Sequence, residues 1–591
     1  MSDTDAAPAA SDDKLAILLR GGDLPGSAKA YGRLIANRGL FGALRRHGGY
    51  NTIHWLLDRR GMPEAEVLRQ LHRQLGPSSS RDALSTPLNC QAPEQAGTLL
   101  HGSAYVGASA WLRRHNGLER RYSLVGTFFG IAVAEARHQM LGSLLAPLQP
   151  WDAVICSSET VQTSVRTMLA NLGAYLGERT GARQLPLPQL PVIPIGVDAP
   201  ALATRAADPQ TRRSLREQLG IRETAVAVLW VGRLSWSDKA FPQPMLLALE
   251  LAAERSTAPV HFVVAGWFTD ERRDRPRFEE AARIHAPHVT LHLLDGNDQE
   301  LVGHCWAAAD IFLSLSDTIL ETFGQAPVEA MAAGLPVVLS DWNGYRSLLR
   351  HGQEGLLIPT LGAPTDGNGH WLALSQAMGA LEPRSYGGSV AQGVAIHVGQ
   401  AAEALQALIA SPELRRRLGE GGRQRAHNSF DWPVVVAAHQ ALFAELRERR
   451  RHGQAEAIVI TPQALTLPPL GHDPFADFSS YASRHLSDDL EVRCSPWKLN
   501  PAEAPIERCE LDGLLPGLRG SSQEHHQLLT KLKAAGSCSV AELLASFPRR
   551  RWPFLRMSLV WLAKLGHIDW LEPETQASSS QGSPMEAKGT K

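Results

Sequence analysis

Val226-Ala227-Val228-Leu229-Trp230-Val231 is an unbroken apolar run that ends at Gly232. A strand with one face in water alternates polar and apolar residues. A run with no polar residue needs cover on both faces, which is the situation of a parallel strand sandwiched between helices. Gly232-Arg233-Leu234-Ser235-Trp236-Ser237-Asp238-Lys239 follows, and a helix is predicted from about Pro242 to Glu254. The chain opens in the same order. Residues 14–19 read as a strand, residues 20–27 as a glycine-bearing loop, and Ser27 as the N-cap of a helix running through Tyr31 and Leu34. Strand, loop and helix in that order open a doubly wound α/β domain, and a second such unit starts near Ala225. Further strands are predicted over 122–131, 151–158, 190–198, 261–266 and 289–294, and residues 306–316 lead directly into the next stretch.

The densest stretch, Ile319 to Thr360, reads ILETFGQAPVEAMAAGLPVVLSDWNGYRSLLRHGQEGLLIPT. Residues 326–333 are good helix formers, and Pro327 is tolerated in a first turn, where its missing N–H would have no partner. Gly334 sits where a left-handed cap is expected, before a short buried strand over 335–339. This places Glu321 on a loop after a strand and Glu329 inside the first helical turn. The backbone N–H groups of Phe323, Gly324 and Gln325 would face an anion at the helix N-terminus. Taken singly, each Glu is as readily a solvated or dipole-complementing side chain.

The combination is more specific. Two glutamates seven residues apart around Phe323-Gly324, then EAMAAGLPVV and SDWNGY, closely resemble the family 4 retaining glycosyltransferases of the GT-B fold. That resemblance covers residues 14–450, most specifically 231–360. It implies two Rossmann-like domains facing across a cleft, with final helices that cross back onto the first domain. It implies that Glu321 contacts the donor sugar at the reaction centre and Glu329 holds the nucleotide ribose. Arg233 and Lys239, in the family's G-R-L, gap, Lys pattern, are implied to hold the donor diphosphate, with Phe323, Gly324 and Gln325 completing the donor site. The cleft position of the first loop extends to Gly26 and Ser27 only weakly. One departure is visible: where many relatives have a histidine just past the strand equivalent to residues 122–131, this chain has Phe128 and Phe129, which affects the contact to the sugar's C6 hydroxyl.

Composition limits the alternatives. Lys and Arg total 59 against 60 Asp and Glu, so no net charge draws the chain to nucleic acid. Between Lys29 and Lys498 the only lysine is Lys239, in a chain that uses arginine for almost all other positive charge. Six scattered cysteines without C-x-x-C spacing suggest free thiols in a cytoplasmic protein. The N-terminus is acidic and has no apolar core of a signal peptide. The loop after the first strand is not G-x-G-x-x-G, so no dinucleotide cofactor is expected. The D-x-D at Asp3-Thr4-Asp5 lies in the tail, so no metal is expected either.

The expected organisation is a tail (1–13), an N-terminal Rossmann-like acceptor domain (14–198), a C-terminal Rossmann-like donor domain with returning helices (199–450), a linker and docking segment (451–522), a small winged-helix-like module (523–575) and a second tail (576–591). Residues 362–369 and 383–393 read as loops. Arginines 38, 45, 46, 59 and 60 beside Leu40, Phe41 and Trp55 could form a basic surface for a membrane-held, lipid-linked acceptor, which would put the protein peripherally at the inner face. An ordinary solvated arginine face is the preferred reading. Arg549-Arg550-Arg551 could meet a phosphate backbone, but a protein-binding or self-packing module is preferred to nucleic acid. The expected activity is transfer of a sugar from a nucleotide-sugar to a hydroxyl acceptor. The alternatives are a phosphorylase or sugar-phosphate synthase of the same fold, or an idle scaffold with a C-terminal binding module.

Overall fold

A computed structural model of the chain describes residues 13–20, 32–59, 61–132, 134–182, 187–237, 239–453, 473–496 and 518–571, with residues 468, 506 and 512. The first sheet contains β1 (Lys14–Leu18), β2 (Thr52–Leu56), β3 (Arg81–Ser85), β4 (Thr98–His101), β5 (Ser123–Phe128) and β6 (Ala153–Cys156). Its order is β3-β2-β1-β4-β5-β6, with every neighbouring pair parallel. The second contains β7 (Val226–Leu234), β8 (Val260–Phe268), β9 (Thr290–Asp295), β10 (Ile311–Ser314), β11 (Val337–Ser340) and β12 (Leu356–Ile358). Its order is β12-β11-β10-β7-β8-β9, again parallel. In both, the chain winds to one edge, returns beside its first strand and winds to the other. The reversals fall between β1 and β4 and between β7 and β10, the places where such sheets open a crevice for ligands.

The apolar run of β7 is explained by this layering. Val226, Val228 and Trp230 enter the core on one face, while Ala227 and Leu229 enter the core on the other. β1 divides in the same way, Leu15 and Ile17 to one side and Ala16 and Leu18 to the other. Burying each large aliphatic side chain contributes about 1.5–3 kcal/mol. The two domains are joined twice. Val197 N–H donates to Phe430 O at 2.8 Å, and Trp432 N–H donates to Val197 O at 3.1 Å. The helix that follows, Trp432–His452, belongs to the first domain's core through Trp432, Val435, Val436, Phe443 and Leu446. A Cβ on Gly39 or Gly196 would lie 2.4 or 2.3 Å from the Trp432 ring, so both positions need glycine.

Several elements differ from expectation. Residues 190–198 form no regular strand; Gln189 and Val192 make isolated bridges to β6, because Pro188, Pro191 and Pro194 remove ladder donors. The 383–393 segment is largely helical (Pro383–Ala391), as is His370–Ala377. Both lie between two short paired strands, β13 (Thr360–Gly362) and β14 (Val394–Ile396). The proline that suggested a loop is instead a first-turn residue of the helix. The helix of the 319–360 stretch spans Gln325–Ala332 with Gly324 as its N-cap, so Glu329 lies beyond the first turn. Arg45 is not on a solvated face: it is buried and paired with Asp82 at 2.7 Å. Ser27, Gly26, Arg60 and Asp238 lie outside the described residues.

The chain divides into two compact units at Pro469–Leu470. The smaller carries helices Ser522–Ala535, Val540–Leu544 and Trp552–Lys564 over an antiparallel sheet of β15 (Glu491–Cys494), β16 (Ser537–Ser539) and β17 (Ile568–Trp570). β15 is the central strand, yet its sequence falls within the stretch expected as linker. It is four residues long and only half apolar, so it becomes a strand through its two partners. Arg551 donates twice to Glu524, at 2.8 Å each, and holds that carboxyl at about 2. One of the three arginines considered for a phosphate backbone is therefore committed within the unit.

Candidate active site

The carboxyl end of β7 gives Gly232 and Arg233, and the turn after it gives Lys239. Three contacts fix that turn. Ser316 Oγ donates to Lys239 O at 3.0 Å, Phe241 N–H donates to Asp317 Oδ1 at 3.3 Å, and Gly387 and Gly388 of the inserted helix close on Ser237. Beyond β10 the chain runs as an irregular loop to Gly324. Trp342 Nε1 donates to Thr318 O at 2.9 Å, and the first domain grips Thr322 from three sides. Ser157 and Ser158 hydroxyls donate to its carbonyl at 3.2 and 3.0 Å, and its own hydroxyl donates to Phe129 O at 3.2 Å. Gly324 holds φ at +106°, and a Cβ there would meet the Tyr345 ring at 2.5 Å. Only glycine suits that position.

These elements bring Arg233, Lys239, Glu321, Phe323, Gly324, Gln325 and Glu329 onto one cavity of about 670 Å³ at the second switch point. Gly32, Arg33, Ile35, Arg38 and Phe129 form its opposite wall from the first domain. Lys239 Nζ lies 2.5 Å from Glu321 Oε2. Burial works against both charges, but each is held ionised by the other: the lysine stays above and the carboxyl below its ordinary range. Phe323 N–H donates to Glu321 Oε1 at 3.4 Å, so of the three loop amides one already serves the carboxylate. The Phe323 side chain is buried against Phe430 and can offer the cavity only main chain. Glu329 accepts from Gln325 Nε2 at 3.2 Å, and burial pushes its carboxyl up to about 7. The Arg233 guanidinium stands 5.9 Å from the Trp267 ring centre.

Sequence reasoning did not find Trp267, Asn297 or Thr322, which also line the cavity, and named Arg38, a fourth such residue, only as part of a basic surface. Trp267 and Asn297 follow the apolar runs of β8 and β9, and that position is the only signal they carry. Among the described residues the sole His/Asp/Glu grouping close enough to share a metal ion is Glu250, Glu254 and His288, and none of these lines the cavity.

Two parallel doubly wound sheets with the cavity at a switch point define the GT-B class of fold. Residues 211–364, within the second α/β domain, match the family of "Glycosyl transferases group 1". Among curated relatives, a D-inositol 3-phosphate glycosyltransferase of Geodermatophilus obscurus is 33% identical over 275 residues, 45% of this chain and 50% of that one. Spore coat protein SA of Bacillus subtilis is 25% identical over 38% of this chain and 50% of its own. A D-inositol 3-phosphate glycosyltransferase of Xylanimonas cellulosilytica is 23% identical over 72% and 95%. The chain spans about half the length of the first two. A solved structure of Anabaena HepE with UDP aligns at TM-score 0.45 and 16% identity, over 73% of this chain and all of that one.

Proposed function

We propose that the protein is a retaining glycosyltransferase that moves a sugar from a nucleoside diphosphate sugar to a hydroxyl acceptor. The observation that carries this reading is the convergence of Arg233, Lys239, Glu321 and Glu329 on one cavity. The reaction displaces a nucleoside diphosphate from an anomeric carbon, so charge builds on the leaving phosphate. Arg233, with its forked donors, and Lys239, a compact ammonium, stand ready to stabilise it together with the free amides beside Gly324. Glu329, once ionised, is suited to accept from the ribose hydroxyls. Glu321 is held ionised and orients the sugar while stabilising oxocarbenium character. Retention follows from attack on the same face, with the departing phosphate taking the acceptor proton.

No helix among the described residues is long and apolar enough to cross a membrane. The five described cysteines are free thiols, which supports a reducing, cytoplasmic setting where nucleotide-sugars are available.

The test is thermal stability of the full chain with UDP, GDP, ADP and their sugars, with and without EDTA. A ligand at 100 times its Kd adds about 2.7 kcal/mol. One base should stabilise the protein with EDTA present, and Lys239→Ala should remove that shift. Turnover of the same donor with lipid-linked and soluble acceptors then fixes the acceptor type. If no nucleotide shifts the protein, the reading fails.

A further inference from the structure

The peptide between Thr322 and Phe323 sits where the first domain touches the loop that carries Glu321, and both of its polar groups are committed. Thr322 O accepts from Ser157 Oγ at 3.2 Å and from Ser158 Oγ at 3.0 Å, hydroxyls 165 and 164 residues away in the chain. Phe323 N–H donates to Glu321 Oε1 at 3.4 Å. Thr322, Ser157 and Ser158 are all buried. A carbonyl oxygen has two lone pairs, so the two hydroxyls use its full accepting capacity.

A trans peptide is planar, with its C=O and N–H on opposite edges. Holding the oxygen against the two serines therefore turns the N–H the other way, towards Glu321. In the reversed orientation the carbonyl would stand beside the Glu321 carboxylate, two acceptors with no hydrogen between them, which is costly in a buried place. The second domain makes room for the observed orientation: a Cβ on Gly344 would lie 2.4 Å from Thr322 O and 2.5 Å from Phe323 Cα. The hydroxyls that hold it come from the first domain. Ser157 and Ser158 lie between β6 and the helix Glu159–Thr180, and Ser158 is that helix's N-cap, accepting from Val161 N–H at 3.3 Å. Thr160 of the same helix donates to Asn343 O at 3.0 Å, so this helix end docks on the second domain at two neighbouring points.

We propose that Ser157 and Ser158 are positioning residues that couple closure of the two domains to the polarity of the sugar-donor site. With the first domain in place, their hydroxyls turn the Thr322–Phe323 peptide so that its N–H supports Glu321. When that domain withdraws, the peptide is released and Glu321 loses the N–H. This rests on the glycosyl-transfer reading above and adds a regulation of the same site. Closing the cleft then does more than exclude water: it completes the second domain's loop with groups from the first. Neither serine touches the reacting atoms; both act through the peptide and Glu321.

The experiment reads the peptide directly. The full chain carries isotope-labelled phenylalanine and is saturated with the nucleotide that stabilises it, and the Phe323 amide is followed by NMR, its resonance identified by its loss in Phe323→Leu. A hydrogen bond to a carboxylate moves an amide proton downfield, so Glu321→Gln should move the Phe323 resonance upfield. Ser157→Ala/Ser158→Ala should move it in the same sense, and each single variant by part of that. Thr160→Val, which loosens the same domain contact without touching Thr322 O, should leave it in place. The double variant should turn over the sugar donor about tenfold or more slowly, with its nucleotide Kd within about twofold of wild type, which also shows that it is folded. Thr160→Val should keep kcat within about twofold. Two outcomes overturn the proposal: a Phe323 amide unmoved in the double variant, or a loss of kcat in Thr160→Val equal to that of the double variant, which would make the contact merely structural. If the wild type binds no nucleotide, the transferase reading itself falls, and the same resonance in the unliganded chain still decides whether the serines orient the peptide.

Discussion

Lys239 Nζ and Glu321 Oε2 lie 2.5 Å apart, although 82 residues separate them in the chain. One closes the turn after β7 and the other ends the loop after β10, so their contact bridges the switch point of the second sheet. Each is partly buried, and each depends on the other to stay charged. Lys239→Ala should therefore do more than remove one positive charge from the cavity. It leaves the Glu321 carboxylate without its counter-charge and raises its pKa. Nucleotide affinity should fall by about tenfold to a hundredfold. Lys239→Arg should recover little, because a planar fork does not fit where a compact ammonium sits. Calorimetric titration of both variants with the stabilising nucleotide measures this.

Gly324 sets the approach to the Gln325–Ala332 helix. With φ at +106° and the Tyr345 ring against it, an alanine there is strained in backbone and clashes in side chain. Gly324→Ala should lower stability by about 1–3 kcal/mol and abolish nucleotide binding. Chemical denaturation reads the first effect and titration the second. Retained binding with full stability would refute the assignment of Gly324 to the site.

Glu329 gives the site a pH dependence. Its carboxyl is pushed up to about 7 by burial, against the opposing effects of Gln325 and Lys239. A raised acid pKa means that the folded apo-protein holds a proton that the unfolded chain has released. Its contribution to stability is therefore lost as pH rises from about 4.5 to about 7. Glu329→Gln should be the more stable apo-protein at pH 8. If ribose hydroxyls donate to the ionised carboxylate, nucleotide affinity should rise between pH 6 and pH 8, and Glu329→Gln should lose that part of the rise. Parallel titrations of wild type and variant over this range decide it, since titration of the phosphate itself is common to both.

Arg113 and Asp152 form a fully buried bidentate pair, with contacts of 2.7 and 2.6 Å. Both are also hydrogen-bonded to backbone: Arg113 donates to Tyr122 O, and Leu124 and Gln149 N–H donate to Asp152. Removing one partner strands the other's charge in the core. Arg113→Met should cost about 3–5 kcal/mol, and denaturant unfolding of the variant should show it. The pair lies behind β5, away from the cavity, so nucleotide affinity of the folded fraction should be unchanged.

Much of this architecture was legible in the chain. Apolar runs with no alternation, each closed by glycine or a small residue, admit little besides parallel strands under helices. Local chemistry also marked Gly334, which adopts φ of +80° as its position after a helix required. Spacing around Phe323-Gly324 and the solitary Lys239 marked one wall of the cavity. Other features were invisible because nothing local encodes them. β15 is a strand only through its partners, and Pro383 reads equally as a loop residue or a helix start.

The sequence by itself determined the class of fold and the second-domain residues of the site, because periodicity and short motifs act within a few residues of themselves. Tertiary structure alone decided which side chains meet across the chain. It set Lys239 against Glu321 and Thr322 into the grip of Ser157 and Ser158. Those pairings follow from two sheets folding their switch points towards one another, a long-range arrangement driven by burial of apolar surface and not written in any single stretch.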